Sequence, residues 1–321
     1  MIRLTDKLAD ARAWRGENLS AEWRFTLPAE CSQALAESRD ARAAQWANGA
    51  VVGAVSAIDP RCRGGLRPVA RALEDGPGFA IIEGLDVVGY GREDLLAAYY
   101  VLGHCLGEPI VQNIEGDLLY DVRDTGQDVA EGARFSVTNA ESTFHNDSAF
   151  SPRIPDYVGL LCLRSASVGG RSQLISACSL HDALLEETPD VLAALYDDFF
   201  FDRRGQYHAG EDPVHRAPIM AWDGRELTMR YLRYYIEVGH ERVVVPLSTV
   251  QKQALAAVEE LLQRQSLRLE FDLQPGQMLF VNNHWILHNR TAFEDDADPE
   301  RRRHYSRLWL GRRGDTKNGK I

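Results

Sequence analysis

The chain has too few cysteines, and too scattered a set, to be stapled by them. The five (Cys31, Cys62, Cys105, Cys162 and Cys178) are odd in number and never form a CxxC pair. This argues against a disulfide framework or a cysteine zinc cluster and predicts reduced, mostly buried thiols in a cytoplasmic protein. No stretch approaches the roughly 18 apolar residues of a membrane helix, and the N-terminal MIRLTDKLADARAWRG lacks the apolar run of a secretion signal. Internal repeats and low-complexity tracts are also missing. Basic residues are outnumbered, 36 Lys plus Arg against 47 Asp plus Glu, for a net charge of −11. Such a chain lacks the basic face with which a nucleic-acid binder neutralises phosphates. A small-molecule protein remains, with neither membrane nor nucleic acid as partner and homo-oligomerisation left open.

A length of 321 residues, 45% of them hydrophobic and 26% charged, suits a well-buried core. Residues from about 28 to 75 read as alanine-rich helix broken by the turn-like DPRCRGG. GFAIIEGL is a short apolar run between glycines, as in a buried strand, and REDLLAAYYVLGHCLG has apolar residues at helical spacing. DYVGLLCLR and RSQLISA read as strands, LHDALLEETPDVLAALYDD as helix and the aromatic-rich YLRYYIEVG as strand. PLSTVQKQALAAVEELLQRQ is a helix with Ser248 and Gln251 as its capping box. After it, Leu267, Leu269, Phe271 and Leu273 alternate with charged residues along a half-buried strand that turns at Pro275-Gly276 into another. The sum is an α+β protein whose many short strands build a β-sandwich or jelly-roll core with flanking helices. It is read as a single domain, 1–321, with residues 1–75 as a helical extension packed on the core.

The candidate chemistry starts in STFHNDSAF. In a strand, His145 and Asp147 share a face and Asn146 points away, so an imidazole and a carboxylate converge on one point. An HxD triplet alone is weak evidence for a metal, because such triplets also arise in ordinary turns. The segment FVNNHWILHNRTAFEDDADPERRRHYSRLWL adds His288 as a third donor, together with Arg303 and Arg307. Four apart on a strand, these arginines share a face with Tyr305, and a guanidinium is the natural partner of a carboxylate. For Arg301 and Arg302 an exposed basic run is the better reading. His284 and His288 are also four apart, but no Glu follows the first and Trp285, Ile286 and Leu287 read as strand, so His284 is structural or pocket-lining.

The ordered set HND, GGRSQL, NNHWILHNRTAF and RRRHYSRLWL resembles the taurine dioxygenase and clavaminate synthase-like family of iron- and 2-oxoglutarate-dependent oxygenases. The similarity runs from about Gly78 to Leu310. It implies a double-stranded β-helix and an Fe(II) site made of His145, Asp147 and His288, with positions left for 2-oxoglutarate and O2. It further implies that Arg303 grips the distal carboxylate of 2-oxoglutarate with help from the Ser172 hydroxyl, and that Arg307 takes an anionic group of the primary substrate. Gln112 and Asn113 fall where amino-acid-oxidising relatives place polar contacts. Glu141, four before the first ligand, is a candidate for a substrate ammonium, with a solvated loop carboxylate as the plain alternative.

The implied reaction couples decarboxylation of 2-oxoglutarate to succinate and CO2 with hydroxylation of an unactivated C–H. Halogenating relatives replace the ligand carboxylate with a small residue, so Asp147 favours hydroxylation, with desaturation or cyclisation left open. The expected substrate is a small anion or zwitterion such as an amino acid. A cupin-like metal protein acting on a small anion leaves Ser172 and the arginine pair unexplained. A catalytically silent binding protein would be expected to have lost a ligand. A zinc hydrolase would need a general base, and none stands in fixed relation to the triad.

Overall fold

Residue alternation along a few strands sets where everything else in this protein lies. The computed structural model describes residues 2–19, 23–39, 60–87, 89–127 and 135–314. Its first strands are β1 (Arg24–Thr26), β2 (Phe79–Glu83), β3 (Glu108–Ile110), β4 (Leu119–Val122), β5 (Tyr157–Arg164), β6 (Val168–Gly169), β7 (Ser172–Ser176) and β8 (Asp198–Asp202). They continue as β9 (Val214–Pro218), β10 (Met220–Trp222), β11 (Leu227–Met229), β12 (Arg268–Phe271), β13 (Met278–Asn282), β14 (Ile286–Arg290), β15 (Phe293–Glu294) and β16 (His304–Gly311). Seven form a large sheet in the order β1-β2-β13-β5-β16-β3, with β4 also paired to β16. A small antiparallel sheet runs β12-β7-β14.

The large sheet is apolar on both faces, as expected of a sheet covered on both sides. Phe79, Ile81, Leu279, Val281 and Trp309 enter a core shared with the small sheet's Leu174 and Ile175. Their neighbours Ala80, Ile82, Met278, Phe280 and Leu308 enter a second core under the helices Arg67–Glu74 and Arg92–Leu106. Gly159 lets the second helix lie close, since a Cβ there would stand 2.5 Å from the Tyr99 hydroxyl and 2.7 Å from the Phe280 ring. At the expected Pro275-Gly276 turn, Gly276 takes φ +85, the left-handed region open to glycine.

The helix Thr249–Leu262 starts with the Ser248–Gln251 capping box, and Leu267, Phe271 and Leu273 are buried as alternation predicts. Two expectations fail. YLRYYIEVG is not strand but lies largely in the helix Arg233–Arg242, with Ile236, Gly239 and His240 buried. Gly239 lets that helix press on β8, where a Cβ would stand 2.2 Å from the Phe200 carbonyl oxygen. PRCRGG is not a turn but the helix Pro60–Gly65, because Pro is tolerated in a first helical turn and Cys62 packs against Cys31, its thiol donating to the Cys31 carbonyl. The N-terminal region supplies the edge strand β1 as well as helices; residues 40–59 of the expected helical stretch lie outside the described residues. The five cysteines are free and buried. Among the described residues, no helix is long and apolar enough to cross a membrane.

Candidate active site

The site opens between the two sheets, where the segment 142–148 meets β14. His145 and His288 form a lone antiparallel bridge, each N–H donating to the other's carbonyl at 3.1 and 3.0 Å. The HxD triplet is therefore not a strand, as the alternation argument assumed. One bridge residue is followed at once by a turn, with Ser148 at φ +55. Buried amides hold this irregular backbone. Asn146 donates to the carbonyls of Asn283 (2.8 Å) and Ile286 (3.2 Å), so it does point away from its neighbours.

The donor atoms of His145, Asp147 and His288 lie within 4.8 Å of one another. Asp147 Oδ1 is 3.6 Å from His145 Nε2 and 3.7 Å from His288 Nε2. His145 Nδ1 lies 2.7 Å from the Thr143 carbonyl; as the N–H donor of that bond it leaves the Nε2 lone pair facing the others. Burial alone would raise the Asp147 carboxyl. The Arg307 guanidinium, then the adjacent His145 and His288, outweigh it and hold the group well below the usual carboxylate range. Burial, then the neighbouring His145, pushes the His288 imidazole down toward its neutral form. Two imidazoles and an ionised carboxylate are the donor set of a non-haem Fe(II) site, so these residues fit the metal.

Two chambers flank this cluster. One, of about 90 Å³, has Ser136, Leu174, Ser172, Arg290 and Arg303 in its lining. Ser172 and Leu174 on β7 face it beside His288 and Arg290 on β14, their antiparallel partners. Arg303 is 4% exposed, stacks over the Tyr305 ring at 3.9 Å, and its Nε is buried with no hydrogen-bond partner among the described residues. Burial and then the nearby Arg303 push the Arg290 guanidinium down to about 9. The buried Arg303 guanidinium, the half-buried Arg290 held on the Thr138, Asn139 and Ala140 carbonyls, and the Ser172 hydroxyl fit a dicarboxylate such as 2-oxoglutarate.

The other chamber, of about 80 Å³, has Gln112, Phe150, Gln206, Tyr235, Arg307 and Trp309 in its lining. Arg307 uses Nε on Gln112 Oε1 (2.8 Å) and Nη1 on Asp147 (3.2 Å to Oδ2). Among the described residues its Nη2 makes no hydrogen bond. Gln112 is wholly engaged in this task, its amide also donating to the carbonyls of Arg307 and Leu118, both at 2.9 Å.

Other expected contacts lie further off. Asn113 ties its own turn through Asp117 and lines a neighbouring cavity of about 250 Å³ with Arg203 and Gln206. Glu141 is exposed and accepts from Asn289 Nδ2 at 3.4 Å, outside both chambers. His284 pairs with Asp156 at 2.7 Å, a structural role. Sequence reasoning missed Arg290, Trp309 and Asn283. The first two lie two residues beyond His288 and Arg307 on the same strands, so alternation alone could have found them.

Comparison with known proteins agrees with this geometry. Residues 53–309 match the family model of taurine catabolism dioxygenase TauD, TfdA family. The FR-33289 synthase of Streptomyces rubellomurinus is 32% identical over 243 residues, spanning 74% of this chain and 70% of that protein. The structure of asparagine oxygenase in complex with Fe(II), 2S,3S-3-hydroxyasparagine and succinate has a TM-score of 0.68 at 23% identity, covering 90% of this chain and 93% of that one. Non-heme iron oxygenase OrfP in complex with Fe and α-ketoglutaric acid gives 0.66 at 19% identity, covering 90% and 94%. With the histidine–aspartate–histidine cluster and its two chambers in place, the chain belongs to the taurine catabolism dioxygenase TauD, TfdA family and is an Fe(II)- and 2-oxoglutarate-dependent oxygenase.

Proposed function

We propose that this oxygenase hydroxylates an unactivated C–H of a small amino-acid-like substrate that carries an anionic group. His145, Asp147 and His288 hold Fe(II), Arg303 and Ser172 hold 2-oxoglutarate, and the chamber of Gln112 and Arg307 takes the substrate. The observation that carries this reading is that the donor cluster opens on two chambers, Arg303 and Ser172 lining one, Gln112 and Trp309 the other, and Arg307, His145 and Asp147 both. When bound, the iron and its cosubstrate supply the oxidising power, with release of succinate and CO2. In this reading Arg303 and Arg307 bind the two anions beside the donor cluster. Phe150 and Tyr235, with ring centroids 5.7 Å apart, wall the substrate side.

Arg307 Nη2 is the group through which a substrate carboxylate, sulfonate or phosphonate is held while Nη1 stays on Asp147. The solved structures of asparagine oxygenase and OrfP contain a hydroxylated asparagine and a hydroxylated arginine, which supports an amino acid as the first class to try. Asn113 serves a longer substrate that reaches the adjoining cavity, and Glu141 serves an ammonium group at the rim. The two sheets are read as the double-stranded β-helix, or jelly roll, of a single oxygenase domain that extends over residues 1–75, in a cytoplasmic protein.

Anaerobic addition of Fe(II) and 2-oxoglutarate tests the assignment through the weak visible charge-transfer band of the chelate. O2 and a panel of amino acids follow, with succinate as readout. The expected result is a chelate band, and succinate formation stimulated by at least one member of the panel. Protein that forms neither chelate nor succinate, with or without added substrate, would overturn the reading.

A further inference from the structure

The carboxylate of Asp147 is held asymmetrically. Oδ1 faces both histidines, 3.6 and 3.7 Å from their Nε2 atoms. Oδ2 accepts the indole N–H of Trp309 at 2.7 Å, while Arg307 Nη1 lies across both oxygens, 3.2 Å from Oδ2 and donating to Oδ1 at 3.3 Å. Neither donor is loose. Trp309 is 4% exposed and pairs in β16 with Val158 on one side and Ile110 on the other. Arg307 is fixed through Nε on Gln112 and lies over the Trp309 ring at 4.8 Å.

We infer that Trp309 is a positioning residue that makes Asp147 a one-oxygen ligand. Its indole N–H, the donor that distinguishes the two oxygens, keeps Oδ2 turned from the histidines so that Oδ1 is the one offered to the metal. The inference rests on the metal assignment made above. A carboxylate has two equivalent oxygens and ligates through one or both. With three protein donors, an octahedral metal keeps three positions for 2-oxoglutarate and O2, and a second carboxylate oxygen would take one of them. Indole suits the task because it has one donor and no acceptor, as guanidinium has donors only. Neither can ligate the metal in place of Asp147. A His, Asn or Ser at position 309 would bring an acceptor to the same spot.

Co(II), whose visible d–d absorption reports coordination number, is the probe. Wild-type protein is expected to bind it, and His145→Ala to lose it. Trp309→Phe, with its folding checked by thermal unfolding without metal, is expected to bind Co(II) about tenfold more weakly. Its d–d band should also be weaker per metal as the second oxygen joins. A merely structural tryptophan would not change the band. Folded Trp309→Phe with wild-type affinity and spectrum overturns the inference, whereas wild-type protein whose Co(II) binding survives His145→Ala overturns the metal assignment instead.

A second measurement does not depend on that variant folding. With 15N in the indoles of the six tryptophans, one N–H signal should lie downfield and move upfield in metal-free Asp147→Ala. Loading wild-type protein with Zn(II) should leave that signal downfield. No indole signal responding to Asp147→Ala, or loss of the downfield signal on Zn(II) loading, overturns the one-oxygen arrangement.

Discussion

The side-chain amide of Asn283 closes on the backbone of Asp147 from both ends. The Asp147 N–H donates to Asn283 Oδ1 at 2.9 Å, and Asn283 Nδ2 donates to the Asp147 carbonyl at 3.0 Å. Nδ2 also reaches the Pro155 carbonyl at 3.1 Å, and Asn283 is fully buried. One side chain thus replaces the strand partner that Asp147 lacks where the chain leaves the bridge at His145. Asn283→Ala would leave three buried backbone groups unpaired at about 1–3 kcal/mol each, so a loss of at least about 3 kcal/mol is expected in denaturant unfolding. Because the ligand would lose its anchor, metal affinity should also fall by about 10–100-fold. A variant as stable as wild type, with unchanged metal binding, would refute this account of the turn.

Of the two chambers Arg303 lines that of Ser172 alone, whereas Arg307 also lines that of Gln112 and Trp309, and kinetics should separate the two. Arg303→Ala removes a buried cation from the chamber of Ser172 and Arg290. A lost charge-assisted bond of about 1.5–3 kcal/mol corresponds to a rise of roughly 10–100-fold in the KM for 2-oxoglutarate. Arg307→Ala should act mainly on the KM of the primary substrate, with a smaller loss of metal affinity because Nη1 also supports Asp147. The converse pattern, with the 2-oxoglutarate KM rising in Arg307→Ala and not in Arg303→Ala, would reverse the two assignments.

His215 gives the fold an acid-sensitive component remote from the metal ligands. It stands on β9 opposite Phe201, and burial, followed by Arg230 and Arg203, pushes its imidazole down to about 4. In the unfolded chain a histidine titrates near 6.5. Between about pH 6.5 and 4 the unfolded chain therefore takes up the proton first, and stability falls as the pH falls through that window. Allowing for partial exposure of the ring, the loss is about 1–2 kcal/mol. His215→Gln should have a shallower acid limb, the difference from wild type growing between pH 8 and pH 4.5 in the variant's favour. Parallel stability curves for the two proteins would exclude His215 as the source.

Local periodicity made much of this architecture legible. The Ser248 capping box and the burial of Leu267, Phe271 and Leu273 each depend on residues a few positions apart. Arg303, by contrast, stands just before β16, and a register shift between His304 and Tyr305 interrupts the expected alternation to Arg307. The helix Arg233–Arg242 was misread because tyrosine, isoleucine and valine favour strands locally, whereas the contact of Gly239 with Phe200 that fixes the helix is tertiary. The bond from Arg307 to Gln112 spans 195 positions, and no local pattern announces it. The contact of Glu141 with Asn289 spans 148 positions and is equally silent in the local sequence. Asn283 was invisible because its work is done on backbone atoms 136 positions away.

The metal should stabilise the fold without being required for it. In its absence Asp147 already has Arg307 and Trp309 as partners, and the two histidines are bridged through their backbones. The donor cluster therefore does not leave a bare buried charge, unlike small metal-dependent folds that unfold when stripped. Chelator-treated protein is expected to remain folded at 25 °C. A metal that binds only the native state adds about 2.7 kcal/mol when present at a hundred times its Kd. For a chain of this size that is roughly 4–8 °C in Tm. Thermal unfolding with and without Mn(II), a redox-quiet stand-in for Fe(II), should show this rise in wild-type protein and not in His145→Ala or His288→Ala. Stabilisation that survives both substitutions would place the ion elsewhere, and global unfolding on chelation would show that the Arg307 and Trp309 contacts cannot hold Asp147 alone.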